Sequence, residues 1–235
     1  MNKTKISAKI VADSISPQGD RLTSLLITFP RILLSEINTH RMLSKNTSSS
    51  RAIPFNKMVE AVQNNPFIPI AWQKDHKGMQ GTEYFNNKED IRYLESHWER
   101  AMKEAVNQAK YLYGFNTGKP ATKQLCNRLL EPFMWTTMLI TGSKEGWDNF
   151  FNLRCPDYIF HDEHDEYHFK SKKDVINHLG EDEEVEYESG NIKLKDLSNI
   201  QWLQLNYGKA EIHMMALAES IYDAVNESTP KQFVS

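Results

Sequence analysis

The chain has 235 residues, of which 40% are hydrophobic, and its 28 basic and 31 acidic side chains give a formal net charge of −3. These proportions suit a packed globular core, and they exclude a disordered chain and a generic basic nucleic-acid binder. Two cysteines are too few for a disulfide framework and indicate a reducing compartment. No apolar run approaches the ~18 residues of a membrane span, and the first residues lack the apolar core of a signal peptide, so we expect a cytoplasmic protein.

Alternation of polar and apolar side chains predicts a β-hairpin near the start of the chain. Residues 5–16 and 21–29 both alternate, and turn residues at 17–20 separate them. Residues 133–141 are β-branched and aromatic, which predicts a buried strand. Residues 44–54 are rich in serine and threonine, which disfavour a regular helix, so we expect a polar loop there.

Helices are predicted where apolar residues recur every three or four positions or where proline favours a helix start. The clearest one ends before Gly114, a natural C-terminal cap, and the one that begins near Pro120 is stopped or kinked by Pro132. The predicted helices cover residues 31–40, 56–63, 88–113, about 120–131, 145–153 and 209–225.

Residues 156–207 differ in composition from the rest of the chain. They hold two acidic runs, HDEHDEYH and EDEEVEYE, and a hairpin-like stretch around Gly190. We interpret them as an acidic insert or small subdomain within a single catalytic domain over 1–235. The acidic excess is concentrated in this segment, so the remaining chain is mildly basic.

Three histidines in the first acidic run raise the question of a metal site. His161, His164 and His168 recur at positions that would share one face of a helix. The run matches no zinc signature, so we prefer a solvated acidic loop without a metal. Cys155 has no recognisable base spaced around it, and we expect a packing residue rather than a nucleophile.

The segment from His40 to Arg51 has the densest set of functional groups suited to ligand binding in the sequence. It offers an imidazole, two guanidiniums, an amide and several hydroxyls within a short span. Such a set suits the binding of a phosphate and a polar heterocycle, because arginine makes charge-assisted bidentate bonds and hydroxyls satisfy the remaining oxygens. A serine-rich surface turn with solvated arginines fits the same composition equally well.

The spacing of this segment resembles the signature of the flavin-dependent thymidylate synthases, Arg-His-Arg-x-x-Ser-x-Asn-x-x-Ser-x-Arg. Only the first position departs, with Thr39 in place of arginine. Three further segments are similar to the same family: NRLLEP at 127–132, NFFNLR at 149–154 and AEI at 210–212. The resemblance covers residues 5–155 and 208–225 and leaves out the acidic insert. The six matching positions of the signature are His40, Arg41, Ser44, Asn46, Ser49 and Arg51.

The resemblance implies an α/β (α+β) fold, a twisted antiparallel sheet flanked by helices. It implies a homotetramer whose active sites are shared between subunits. It further implies FAD as cofactor, NADPH and methylenetetrahydrofolate as co-substrates, and the reductive methylation of dUMP to dTMP. The partners expected are therefore small molecules, with no nucleic-acid polymer, no membrane and no metal.

The same resemblance assigns the substrate contacts. Arg51 and Arg128 are expected to hold the phosphate of dUMP, with Ser49 adding a contact, and a doubly charged phosphate does favour more than one cation. Arg154 is expected against the uracil, where a guanidinium would stabilise negative charge on the ring; Arg154 and Ser49 are the implied catalytic residues. An arginine favoured by the dipole at a helix end is the alternative for Arg154.

Five residues are implied to contact FAD, with arginine suited to the pyrophosphate and asparagine to the isoalloxazine edge. A helix N-cap or a surface amide is the alternative for Asn149. Glu36 is assigned to the dUMP side, facing a ribose hydroxyl or a backbone amide, because a carboxylate repels phosphate. The five implied FAD contacts are His40, Arg41, Ser44, Asn46 and Asn149.

Thr39 leaves two alternatives open. It keeps one hydrogen bond but lacks the charge of the arginine it replaces, which predicts weaker FAD binding or a compensating cation elsewhere. The departure and the insert also leave room for a flavin-dependent dUMP hydroxymethylase on the same scaffold. A non-catalytic nucleotide-binding protein that retains the phosphate arginines is the third interpretation.

Overall fold

The secondary structure follows from a computed structural model of the chain. It describes residues 4–49, 51–77, 81, 83–114, 119, 121–161, 164–187 and 190–232. The strands are β1 (Ser7–Ile15), β2 (Arg21–Pro30), β3 (Ser44–Thr47), β4 (Trp135–Ser143), β5 (Tyr158–His161), β6 (Glu166–Phe169), β7 (Glu184–Val185), β8 (Ile192–Lys193) and β9 (Lys231–Gln232). The α-helices are α1 (Leu34–Asn38), α2 (Phe55–Asn64), α3 (Lys88–Tyr113), α4 (Lys123–Arg128), α5 (Lys144–Arg154), α6 (Lys172–Leu179), α7 (Asn199–Gln204) and α8 (Ile212–Glu227).

Five strands of the described residues form the main sheet, in the order β3-β4-β2-β1-β9. The predicted hairpin of β1 and β2 is confirmed, and its turn relies on Gly19, whose φ of 94° is accessible to glycine at little cost. Helices flank this twisted sheet, as predicted. The pairing is antiparallel except between β1 and β9, so the sheet is mixed rather than wholly antiparallel.

Two predicted elements near the signature segment were wrong in detail. The helix expected over 31–40 is a 3-10 turn over Arg31–Leu33 followed by the short α1. The polar loop expected over 44–54 begins as strand β3, which pairs with β4 from Ser44 to Thr47. Serine and threonine do disfavour a helix, but a neighbouring strand with free backbone groups stabilises them as an edge strand.

The main core lies on one face of the sheet. Alternate residues of β2 and β4 point to this face, and helices α5 and α8 cover it. The helix expected over 145–153 and the strand expected over 133–141 are both present, shifted by one or two residues. Fully buried side chains that hold this layer include Leu25, Ile27, Phe29, Met138, Ile140, Phe150, Met214 and Leu217.

A second core joins helices α2, α3 and α4. The predicted helix over 88–113 is confirmed at both ends: Asn87 caps it by accepting a hydrogen bond from the backbone of Glu89, and Gly114 follows it. The helix expected from Pro120 begins at Lys123, and Pro120 itself lies outside the described residues. No helix within the described residues is long and apolar enough to cross a membrane.

The described part of residues 156–207 contains the β5–β6 and β7–β8 hairpins and helices α6 and α7, around a cluster of its own. Tyr158, Val175, Leu194 and Trp202 are buried in this cluster. The hairpin expected around Gly190 is present as β7 and β8. The insert is tied to the body at α8, where the backbone N–H of Lys172 donates to Glu219 Oε1 over 2.7 Å.

The described residues of the acidic run at 161–168 contribute His161 to β5 and residues 166–168 to β6, so they form part of a hairpin and differ from the solvated loop that was expected. His161 and His168 lie in its strands, and His168 contacts both Asp157 and Glu166. Residues 162 and 163 lie outside the described part of the chain. Among the described residues there is no cluster of metal-ligating side chains.

Candidate functional site

The signature segment runs from the end of α1, through a turn and β3, to the start of α2. Thr39 Oγ1 donates to the backbone oxygen of Glu36 over 2.7 Å, and the backbone N–H of His40 donates to the oxygen of Ile37 over 3.2 Å. These bonds finish α1 and turn the chain so that His40 enters the core, where it is 6% exposed. Thr39 itself is exposed, and its hydroxyl serves the helix end.

Two glycines let this turn approach the start of α5. A Cβ atom on Gly146 would lie 3.2 Å from the backbone oxygen of Met42, and one on Gly142 would lie 2.5 Å from Leu43 Cδ2. A side chain at Gly142 would force Leu43 to shift, and one at Gly146 would crowd the backbone of the turn. The turn that carries His40 is therefore held against the helix that ends at Arg154.

Arg154 joins His40 and Glu36 into one polar cluster. Its Nε donates to His40 Nε2 over 2.9 Å, and its Nη1 forms an ion pair with Glu36 Oε1. Arg154 lies more than a hundred residues after Glu36 and His40, so only the fold brings it to them. Glu36, which was expected to face a ribose hydroxyl or a backbone amide, pairs with the Arg154 guanidinium through Oε1.

His40 is held as a neutral imidazole in this cluster. Burial and the nearby positive charges of Arg154 and Lys45 lower its pKa to about 4. A neutral ring is what the contact requires, because His40 Nε2 must accept the hydrogen from Arg154 Nε. The ring also packs edge-on against Phe150, with the two centroids 4.8 Å apart.

Lys45 is a member of this site that the sequence analysis missed. Its Nζ donates to the backbone oxygens of Ile37 and His40, at the end of α1. A cation there complements the negative end of the helix and satisfies carbonyls that have no partner in the helix. Lys45 and Thr39 thus both bond to carbonyl groups at the end of α1, while the choice between weaker FAD binding and a compensating cation elsewhere stays a prediction. The position of Lys45 between the fixed residues of the signature gave no reason to single it out.

Arg128 lies apart from this cluster, in a cleft of about 490 Å³ between α1 and the turn that follows α4. Ser35 and Asn38 line the cleft beside it. Arg31, which the sequence analysis did not identify, lies in the same cleft and pairs with Glu131, with 3.3 Å between its Nε and Oε1. This pairing neutralises Glu131 and leaves Arg128 as a positive charge facing the cleft.

Ser49 and Arg51 lie in the exposed loop that follows β3. The backbone N–H of Arg51 donates to Ser49 Oγ over 3.2 Å, so the two form a compact turn. Asn127, the neighbour of Arg128, fixes the end of this loop by donating its side-chain N–H to the backbone oxygen of Ile53 over 3.2 Å. The loop is thereby tied to α4, the helix on which Arg128 lies.

The remaining residues predicted to contact FAD are exposed on the surface. Arg41 lies in the turn, Ser44 and Asn46 point the same way from β3, and Asn149 lies on the outer side of α5. Ser143, not Asn149, caps α5, so the N-cap alternative for Asn149 was wrong. Within the described residues no hydrogen bond or ion pair links these four to the Arg154 cluster.

Cys155 directly follows Arg154 but lies in the core. It is 6% exposed and belongs to the main hydrophobic cluster, as predicted for a packing residue. Burial raises the pKa of its thiol far above the ordinary range, which disfavours the thiolate that a nucleophile requires.

The sequence matches no family profile and no curated protein. In three dimensions, however, the chain is similar to solved structures. Two crystal structures similar to it are those of the UMP/dUMP methylase PolB from Streptomyces cacaoi, bound with 5-Br dUMP and with 5-Br UMP. The TM-scores are 0.50 and 0.51, at 12% and 16% identity, and the matches cover 65% of this chain and 80% and 78% of theirs. At such identity the likeness defines the fold.

Proposed function

We propose that the protein is a flavin-dependent thymidylate synthase that methylates C5 of dUMP, with methylenetetrahydrofolate as carbon donor, NADPH as reductant and FAD as cofactor. The observation that carries the proposal is the cluster of Arg154, His40 and Glu36. His40 and Arg154 come from segments singled out by resemblance to that family, Glu36 lies just before the signature, and Arg154 contacts both of the others. The fold shared with PolB, described as a UMP/dUMP methylase, supports the same substrate class.

Arg154 is the residue that we propose to contact the pyrimidine. Its Nε and Nη1 are engaged by His40 and Glu36, and no described residue accepts a hydrogen bond from its Nη2. The side chain is 23% exposed, so a ligand can reach it. A guanidinium held on two sides is preorganised to stabilise negative charge that develops on a ring as C5 attacks an electrophile.

Arg128 and Arg51 are proposed to hold the phosphate. Both side chains are exposed, and neither is neutralised by an ion pair among the described residues. Phosphate binding favours arginine because its planar fork matches two phosphate oxygens. The hydroxyl and backbone groups of the Ser49 turn supply further contacts of the kind an anion needs.

Four of the five residues predicted to contact FAD are exposed and have side chains suited to it, whereas His40 does not fit this role. Arg41 suits the pyrophosphate, and the hydroxyl and amides of Ser44, Asn46 and Asn149 suit polar ring edges. His40 is buried and already accepts a hydrogen bond from Arg154, so we propose that it positions Arg154 and does not contact the flavin. When bound, FAD supplies the redox chemistry of the reaction.

A homotetramer is part of the proposal. The residues assigned to FAD lie on an open surface, whereas cofactor sites enclose most of the ligand. A second copy of the chain that covers this surface would close the site, which matches the shared active sites implied by the resemblance. Gel filtration with light scattering would test this part separately.

The decisive experiment is a turnover assay on the purified full chain. We expect a yellow protein, or one that can be reconstituted with FAD, that converts dUMP to dTMP when both co-substrates are supplied. Mass spectrometry of the product distinguishes a methyl from a hydroxymethyl increment, and dUMP binding without NADPH oxidation would point to the non-catalytic interpretation. Arg128→Gln should lose activity, whereas Arg100→Gln, an exposed arginine on α3, serves as the matched control.

UMP is a second candidate substrate. The similar PolB structures are described as those of a methylase for both UMP and dUMP. We therefore include UMP in the assay, and a higher kcat/KM with UMP would reassign the preferred substrate while leaving the reaction class unchanged.

A further inference from the structure

A cavity of about 470 Å³ lies where the insert meets the body of the protein. The insert supplies Tyr158, Lys172 and Leu203, and the body supplies residues 4–6, the start of β4 and one side of α8. None of the residues assigned above to dUMP or FAD lines it. Its volume falls in the range of small-molecule sites, so it is large enough for a ligand of its own.

Most of the wall is apolar. Ile68, Ile70, Leu203 and Met215 contribute aliphatic surface, and Trp135 contributes an aromatic ring. A wall of this kind favours a ligand with a largely apolar body, because the burial of apolar surface is the main source of affinity in such pockets.

The polar end of the cavity contains an acid and a base side by side. Glu219 Oε2 and Lys172 Nζ are 4.0 Å apart, too far for a hydrogen bond, and the two side chains are 14% and 36% exposed. Glu219 Oε1 accepts the backbone N–H of Lys172 over 2.7 Å, but no described residue donates to Oε2. Burial raises the pKa of Glu219, as expected of a carboxyl group with too few donors.

The other buried polar group at this end is already satisfied. Asn206 Oδ1 accepts the backbone N–H groups of Asp157 and Gly208, over 2.9 and 2.7 Å. At the Glu219 end the open positions are therefore one acceptor, Glu219 Oε2, and one donor, Lys172 Nζ. The wall also includes the exposed residue Lys5 and Trp135, whose buried Nε1 has no hydrogen-bond partner among the described residues. A cation would be repelled by the ammonium and an anion by the carboxylate, while a zwitterion would lose the hydration of two charges.

We propose that this cavity binds a neutral, flat ring compound that carries an N–H and a C=O group side by side, the edge of a cyclic amide. The N–H donates to Glu219 Oε2, the C=O accepts from Lys172 Nζ, and the rest of the ring lies against the apolar wall. This site is independent of the proposed methylation.

A matched pair of ligands tests the site on the full-length protein. Quinolin-2(1H)-one has the required edge and an apolar second ring, and N-methylquinolin-2-one lacks only the N–H. In titration calorimetry we expect the parent compound to bind about 10- to 100-fold more tightly than its N-methyl form, since one hydrogen bond to a charged group is lost. Equal affinities, or no binding of either compound at millimolar concentration, would overturn the proposal.

Variants then locate the binding. Lys172→Met and Glu219→Gln should each weaken binding of the parent compound about 10-fold or more. Lys173→Met and Glu227→Gln are the matched controls, because this neighbouring ion pair lies outside the cavity wall. Unfolding curves check whether Glu219→Gln folds. If Glu219→Gln does not fold, Lys172→Met still tests the site, because the Lys172 side chain is partly exposed. Binding that survives Lys172→Met unchanged would refute the assignment.

Discussion

The neutral state of His40 predicts a specific acid sensitivity of the fold. An ordinary histidine binds a proton at about pH 6.5, whereas burial, Arg154 and Lys45 lower the pKa of His40 to about 4. Between these values the unfolded chain binds a proton that the folded protein excludes, so stability falls as the pH drops. The imidazole cannot be protonated in place without turning its contact with Arg154 Nε into a repulsion.

The size of the effect follows from the pKa difference. For a histidine with a pKa of 6.5 unfolded and about 4 folded, linkage gives a loss of about 2 kcal/mol at pH 5 and about 3 kcal/mol at pH 4, relative to neutral pH. A His40→Gln variant keeps a neutral acceptor near Arg154 but cannot titrate. The difference in unfolding free energy between the wild type and this variant should therefore shrink by these amounts.

Urea unfolding between pH 7 and pH 4.5 measures this difference, and NMR titration of the imidazole measures the pKa directly. In Lys45→Met, one of the two nearby positive charges is gone, so the pKa of His40 should rise and the loss at low pH should be smaller. The reasoning would be refuted by two results together. The difference in unfolding free energy between wild type and His40→Gln would stay constant within about 0.5 kcal/mol from pH 7 to pH 5, and the NMR titration of His40 would have its midpoint near pH 6.5.

Three further substitutions test other parts of the structure. Arg154→Lys keeps the positive charge but cannot hold both contacts of Arg154, with His40 and with Glu36. Steady-state kinetics should show turnover about 100-fold lower, and equilibrium binding should show a far smaller change in dUMP affinity. Asp13→Asn should cost about 2–3 kcal/mol in urea unfolding at pH 7, because Asp13 accepts from Arg21 over 2.9 and 2.7 Å; an unchanged midpoint would contradict this role. Gly142→Ala should lower the melting temperature by a few degrees, about 1–3 kcal/mol, because the new Cβ would overlap Leu43, and a rise would show that the contact relaxes freely.

The local elements were largely determined by the sequence itself. The hairpin of β1 and β2 and the full extent of α3 follow from the period of their apolar residues, which local backbone geometry fixes. Two residues of the Arg154 cluster, His40 and Arg154, lie in segments identified by their resemblance to a known family, since fixed residue types at fixed intervals are a local property of the chain.

Tertiary structure decided what these residues contact. The pairing of Glu36 with Arg154, the burial of His40 and the role of Lys45 depend on β3 joining β4 and on the close approach at Gly146. Strand β3 itself was missed because its partner strand lies far along the chain, and sheet pairing is not a local preference.

The insert shows the same division on a larger scale. Its acidic composition marked residues 156–207 as different, but their use as one wall of a cavity could not be read from composition. Nothing in the sequence distinguishes Glu219 and Lys172 from other charged residues. They become an acceptor and a donor at the end of an apolar pocket only when α6 packs on α8. The sequence by itself determined which chemical groups the chain carries and where several of its longer elements lie. Folding decided which groups meet, because contacts between distant segments arise from packing in three dimensions.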